Sequence, residues 1–435
     1  MAVLVLCFVN LINYMDRSTV AGMIDSIKAD PTFNLQGDNK YIGLLQTAFV
    51  FCYMIFAPLF GYLGDRYDRT WIMGLGLVFW SLSTLVGSFM KNFWWFLLFR
   101  AFVGIGEASY STIAPAIISD LFSKDTRSQV LALFYFAIPV GTGLGYIVGA
   151  EVAEGASDWR WGLRVTPFLG LVAIVCIMFF MTDPPRGASE GAHLRPASPK
   201  ADLKALSRNK SFVLSTVAFT CVTFSAGALM WWGPEFAFLG ARAECGARAG
   251  CDKITQSDIS YKFGIVMALA GLIGVPGGSY LSQQIRHRVP NADPIVSGVS
   301  LIISVPVLYV GFIAARYSTN WCYGLTFVAG LLLNCNWAIV SDMTLYIVIP
   351  TRRSLASAAQ ILSSHMLGDA ISPYLVGVVS DWIRPAINPG DEPPDFRCLQ
   401  YALFASCFFQ AFGAFFFFMT SFYVLDDKRE ADRVI

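Results

Sequence analysis

RAFVGIGEASYSTIAP, residues 100–115, sits inside an apolar run from about Phe93 to Phe122. The run is longer than the roughly 20 residues a helix needs to cross a bilayer, and leaves room for tilt. Yet it carries Arg100 and Glu107 where hydrocarbon is expected. Seven positions make nearly two helical turns, so the two charges fall near one face. Gly104 and Gly106 between them allow another backbone to come close. A charge at this depth is costly unless it is paired or faces a polar cavity, so the stretch marks a functional site inside a membrane.

The bulk composition agrees. Of 435 residues, 55% are hydrophobic and only 14% charged, whereas a soluble domain is about a quarter charged. The net charge of +1 gives no reason to expect nucleic-acid binding. Ten cysteines are scattered, mostly in apolar runs, where they act as small hydrophobes. No Cys/His group has zinc spacing, so neither metal nor cofactor is expected. Gly104-Ile-Gly106 is no nucleotide loop, and no Gly-x-Ser-x-Gly elbow occurs, so the chain does not read as an enzyme. No cleavable signal peptide is recognisable at the start.

Working outward, hydrophobic runs mark twelve spans at about 1–24, 41–62, 70–90, 93–122, 127–151, 163–182, 210–240, 258–285, 293–316, 320–349, 354–383 and 397–425. Without water to satisfy the backbone, each must be a helix. The expected fold is an all-α membrane protein with two pseudo-symmetric six-helix bundles. These are 1–182 and 210–425, joined by a polar, flexible cytosolic linker over 183–209 and followed by a cytosolic tail over 426–435. Lys and Arg gather in the even-numbered connections, which places both termini and the linker in the cytosol. GYLGDRYDRT (61–70) and GGSYLSQQIRHR (277–288) occupy equivalent places in the two halves, each running from Gly through Tyr-Leu to clustered Arg. Two related halves point to a transporter with its site between them near the midplane.

GYLGDRYDRT resembles the loop signature of the major facilitator superfamily, except that Thr70 stands where a basic residue is usual. NYMDRSTVAG (13–22), GEASYSTIAP (106–115), FYFAIPVGTGLGY (134–146), NWAIVSD (336–342), IPTRRS (349–354) and SHMLGDAISPY (364–374) together resemble the Spinster branch. The resemblance covers nearly the whole chain. It implies the major facilitator fold and alternating-access transport of lysophospholipids or sphingolipids. VTPFLG (165–170), DPPRGA (183–188) and SFVLS (211–215) are more similar to the lysosomal lysophospholipid exporters than to the plasma-membrane sphingosine-1-phosphate exporters. The implied location is the lysosome or late endosome, with the plasma membrane as the alternative. The implied partners are a lysophospholipid or sphingolipid, protons and membrane lipids, for a monomer. The rival classes are a carrier of sugars or organic anions and a lipid scramblase.

Asp16, Arg17, Arg100 and Glu107 are the candidate proton-coupling residues. Desolvation favours a protonated carboxyl and a nearby Arg favours the ionised one, so rocking between states can load and unload a proton. For Arg100 a purely structural role is equally open. His365 and Asp369, four apart on one helix face, are candidate substrate contacts, with a proton relay or a satisfied core pair as the alternatives. Tyr110, Ser111, Thr112, Tyr135, Phe136, Trp231, Trp232, Glu235, Asn336 and Tyr346 are candidates for an apolar slot with a polar head-group site. Core packing is the alternative for each, and an interfacial belt for the two Trp. Asp65, Arg66 and Arg69 read as gating residues, with Asp381 in GVVSDWIR as a degenerate counterpart. Gly141, Gly145 and Gly149 read as close helix packing, and Pro139 as a kink. Cys245 and Cys251, in a loop on the non-cytosolic side, are expected to form a disulfide.

Overall fold

A computed structural model describes residues 2–35, 37–122, 124–181, 183, 199–245, 254–349, 352–387 and 394–433. Eleven helical stretches among them are long and apolar enough to cross a membrane. Span one is α1 (Ala2–Thr19), a 3-10 turn (Ala21–Met23) and α2 (Ile24–Lys28), and so runs a turn past its expected end. Spans two to six are α3 (Asn39–Arg66), α4 (Arg69–Gly87), α5 (Phe93–Leu121), α6 (Lys124–Ala156) and α7 (Arg160–Phe180).

A short helix α8 (Pro199–Arg208) follows within the expected linker. This corrects the reading of 183–209 as flexible throughout. Asp202 is buried and meets Arg352 at 2.6 Å, and Leu206 is buried on the same helix. Leu206 lies four residues after Asp202, so one face of α8 has both an apolar and a charged anchor. Spans seven to nine are α9 (Lys210–Cys245), α10 (Gln256–Arg286) and α11 (Ala292–Ala314).

Span eleven, read as continuous, is broken, whereas span ten keeps helical backbone through Cys335. Span ten is α12 (Thr319–Asn334) and α13 (Asn336–Tyr346), meeting at Cys335. Span eleven is α14 (Arg353–Leu367) and α15 (Ser372–Ile383), separated by Gly368–Ile371, and falls outside the eleven because neither piece is long enough alone. At Gly368 a Cβ would run into Thr223 Oγ1 and the Ser364 carbonyl, so only glycine lets α9 come this close to the break. Span twelve is α16 (Pro394–Ser421), and α17 (Val424–Asp432) closes the chain.

Two compact units are distinct: Met1–Ala192 with Met230–Ala268 and Pro373–Trp382, and His193–Leu229 with Leu269–Ser372 and Ile383–Ile435. In the first unit α1 packs on α6 and α7, while α5 packs on α3 and α4. The α1–α6 contact follows the glycine ladder. A Cβ on Gly141 or Gly149 would sit 2.6 Å from the Leu11 or Thr19 carbonyl, and one on Gly145 would strike the Met15 carbonyl. Both helices repeat every four residues, so a small-residue groove on α6 follows a ridge on α1. In the second unit α11 packs on α12 and α16, and α8 lies against α14.

The loop repeat has a matching charge pattern. In the first unit Arg69 Nη1 lies 2.5 Å from Asp120, near the end of α5. In the second, Arg286 Nη2 lies 2.9 Å from Asp342 on α13 and 2.6 Å from Asp293 on α11. Spans four and ten hold the same place in the two halves, so the repeated Arg meets a repeated carboxylate.

Candidate functional site

The first unit gathers Asp16 and Arg17 of α1 with Arg100 and Glu107 of α5. Asp16 and Glu107 have no exposed surface, and Arg100 is 2% exposed. Arg17 Nε donates to Glu107 Oε2 at 2.7 Å, and Arg100 Nη1 lies 3.4 Å from Asp16 Oδ2. Successive residues of α1 thus face opposite ends of one α5 stretch, each paired with the opposite charge. The Arg17 guanidinium lies 4.8, 5.2 and 4.7 Å from the Tyr14, Phe49 and Tyr53 ring centroids. Phe49 also faces Arg100 at 5.1 Å, so one ring of α3 lies between two like charges.

The cluster is incompletely satisfied. Glu107 Oε1, Arg100 Nε and Nη2, and both amide atoms of Asn13 are buried without a hydrogen-bond partner. Such atoms are expensive in a settled core and expected where partners exchange. The Arg17 side chain, 19% exposed, is the part of the cluster with access to its surroundings.

The second unit holds the His365–Asp369 pair, with Nδ1 and Oδ2 2.9 Å apart. Asp369 Oδ1 has no partner, and the Trp337 ring lies 5.8 Å from the imidazole. The pair stands at the break of span eleven, where α14 ends and backbone groups are released from helical bonding.

The other expected contacts are dispersed. Tyr110 is fully buried and donates to the Leu6 carbonyl, joining α5 to α1. Ser111 and Thr112 donate back to their own helix, to the Glu107 and Ala108 carbonyls. Tyr135 and Phe136 are about half exposed, at 48% and 53%. Trp231 and Trp232 are buried, Trp232 donating to the Pro373 carbonyl at 2.9 Å, so neither is an interfacial belt residue. Glu235 is buried against Lys28 at 2.9 Å. Asn336, at the start of α13, donates to the Leu333 carbonyl at 3.1 Å. Tyr346 donates to Asp293 at 2.6 Å, within the Arg286 cluster.

Of the residues expected to gate, Arg69 is buried in its clasp with Asp120, while Arg66 is exposed with its guanidinium 4.4 Å from the Tyr62 ring. The Asp65 side chain lies outside the described residues. Asp381 accepts the Asn39 and Lys40 backbone N–H groups, both at 2.8 Å, and so caps the start of α3. Cys245 is disulfide-bonded; the expected partner, Cys251, lies outside the described residues.

Sequence reading missed Trp80 and Thr166, whose N–H and hydroxyl donate to Asp16; Phe49, which faces Arg17 and Arg100; and Lys28, which pairs with Glu235. A Trp in mid-span rather than at an interface was the available signal for Trp80. Phe49 and Thr166 gave none, because an apolar ring or a hydroxyl inside a span is ordinary.

The Major Facilitator Superfamily model matches residues 6–373. Protein spinster of Drosophila melanogaster is 50% identical, covering 99% of this chain and 78% of that protein. Protein spinster homolog 1 of Homo sapiens is 48% identical, covering 99% of this chain and 82% of that protein. A bacterial homolog to the human lysosomal transporter Spinster, crystallised inward-facing and unoccupied, aligns with TM-score 0.85 at 20% identity, over 98% of this chain and 97% of that one. At that identity the structural likeness speaks for the fold alone.

Proposed function

This chain belongs to the Spinster family of the Major Facilitator Superfamily, and from that premise we propose that it couples protons to the export of lysophospholipids, such as lysophosphatidylcholine and lysophosphatidylethanolamine, from the lysosome lumen to the cytosol. As a family member it is a multi-pass membrane transporter of twelve helices, not an enzyme. The lipid class rests on VTPFLG, DPPRGA and SFVLS, and on the need for an ionic site inside an apolar bundle. Alternating access supplies the rest of the cycle.

One observation carries the coupling: fully buried Glu107 has one oxygen held by the partly exposed Arg17 and the other without a partner. While Glu107 is ionised, Arg17 is committed to it. A proton on Oε1 cancels that charge and leaves the guanidinium, held by Tyr14, Phe49 and Tyr53, free to bind a lipid phosphate. Proton and phosphate thereby act on one arginine.

The test is lysophosphatidylcholine flux into proteoliposomes under a pH gradient. Glu107→Gln and Asp16→Asn should each reduce pH-driven flux on the order of tenfold or more. Flux equal to wild type at every gradient would remove the coupling assignment. Competition with sphingosine-1-phosphate, a sugar and an organic anion separates the lipid reading from its rivals.

A further inference from the structure

Asp16 is held by donors on three helices. Its Oδ2 accepts the Trp80 indole N–H at 3.2 Å and an Arg100 N–H at 3.4 Å, and its Oδ1 accepts the Thr166 hydroxyl. Indole and guanidinium nitrogens only donate, so Oδ2 is committed as an acceptor and Oδ1 is the oxygen that can carry a proton. Thr166 differs from the other two because a hydroxyl both donates and accepts. Its oxygen also lies 3.4 Å from the Leu163 carbonyl. That carbonyl is the one Pro167, lacking an N–H, cannot bond from four residues on. The single hydroxyl hydrogen therefore has two acceptors within reach, in a place where Trp80 and Thr166 are each 1% exposed.

We propose that Thr166 is a positioning residue of the coupling site, whose hydroxyl hydrogen turns from Asp16 Oδ1 to the Leu163 carbonyl when Oδ1 takes up a proton, while Trp80 keeps Oδ2 an acceptor in both states. The atoms balance. The arriving proton binds Oδ1, the new O–H donates to Thr166 Oγ1, and the Thr166 O–H donates to Leu163. In the ionised state the hydroxyl hydrogen lies on Asp16 and the Leu163 carbonyl goes without it; in the protonated state both bonds are made, no water is required, and the pairing of Asp16 with Arg100 loses its charge.

The charged and titratable groups of the cluster around Asp16 come from several elements. Arg100 and Glu107 stand on α5, Arg17 and Tyr14 on α1, and Tyr53 on α3 behind Arg17. The other cation nearby on α7, Arg164, is turned away to Ser88 at 3.1 Å and to the Phe89 and Trp161 rings. α4 presents Trp80, while its Arg69 is at the far end with Asp120.

The inference rests on proton coupling through this cluster, so its deciding test avoids transport. Infrared titration of the purified protein follows the carbonyl stretch of protonated carboxyls, with the Asp16 band assigned by its loss in Asp16→Asn. Each lost hydrogen bond raises the carbonyl stretch of a protonated carboxyl, so the Asp16 band should lie at higher wavenumber in Thr166→Val and in Trp80→Phe, and be unmoved in Thr166→Ser. A band unmoved in Thr166→Val, or moved as far in Thr166→Ser, overturns the inference. If the band shifts as expected but wild type carries no pH-driven lysolipid flux, Thr166 keeps its role and the proposed function fails.

Discussion

Arg17 is a residue whose type, not only its charge, matters. Its planar guanidinium meets a carboxylate edge and three ring faces, which a lysine ammonium cannot do together. Arg17→Lys should fold and insert yet lose lysolipid flux on the order of tenfold, while Glu107→Gln loses only its pH dependence beyond that; proteoliposome assays across pH check both. Asp30, past the end of span one, offers a separate test. Burial alone would raise its carboxyl, but the Thr32 hydroxyl and N–H, the Trp159 N–H and the Arg160 charge outweigh it and hold it below the usual range. A depressed carboxyl stabilises above its unfolded value, and that stability is lost as pH falls through the folded one. Asp30→Asn should thus lower the Tm at neutral pH, with the gap to wild type closing below about pH 4. Thermal unfolding in detergent at several pH values measures it.

At the scale of elements, the α1–α6 ladder and the caps decide stability. A Cβ at Gly145 strikes the Met15 carbonyl, a backbone atom that cannot swing aside. Gly145→Ala should cost about 1–3 kcal/mol by forcing two helices apart. Gly324→Ala in α12 meets nothing within 4 Å and should be neutral or stabilising by up to about 1 kcal/mol. A Tm survey of the two variants compares crowding with helix propensity directly. Asp381→Ala removes an anionic acceptor from the first two residues of α3 and should cost about 1–2 kcal/mol. A transport defect in Asp381→Ala without a fall in Tm would show a gating part beyond capping.

At the scale of the molecule, the expected cargo can be read directly. Purified protein should retain single-chain phospholipid, seen by mass spectrometry of a detergent extract, and Glu107→Gln should change how tightly it is held. Sugars and organic anions should leave lysophosphatidylcholine flux unchanged. Inhibition by them at concentrations comparable to the lipid would favour a polar-solute carrier. Such a site should be satisfied throughout by hydrogen bonds rather than hold unpaired ionic atoms beside aromatic rings.

The sequence by itself determined the twelve crossings, the helical class, the repeat of the basic loop and the family. All of these follow from local hydropathy and short motifs, because a bilayer leaves an apolar segment no choice but helix. The charges in spans one and four were legible for the same reason, since hydrocarbon makes an ionisable residue conspicuous. Partner choice was not legible. That Arg17 takes Glu107 while Arg100 takes Asp16, that Trp80 and Thr166 complete the Asp16 site, and that Phe49 lies between two guanidiniums depend on helices far apart in the chain. The break in span eleven and the docking of α8 were also decided in three dimensions. Hydropathy averages over the few residues where a helix yields, and a polar segment orders only when another surface meets its charge. Periodicity says which side of a helix is dry; only packing says which neighbour stands there.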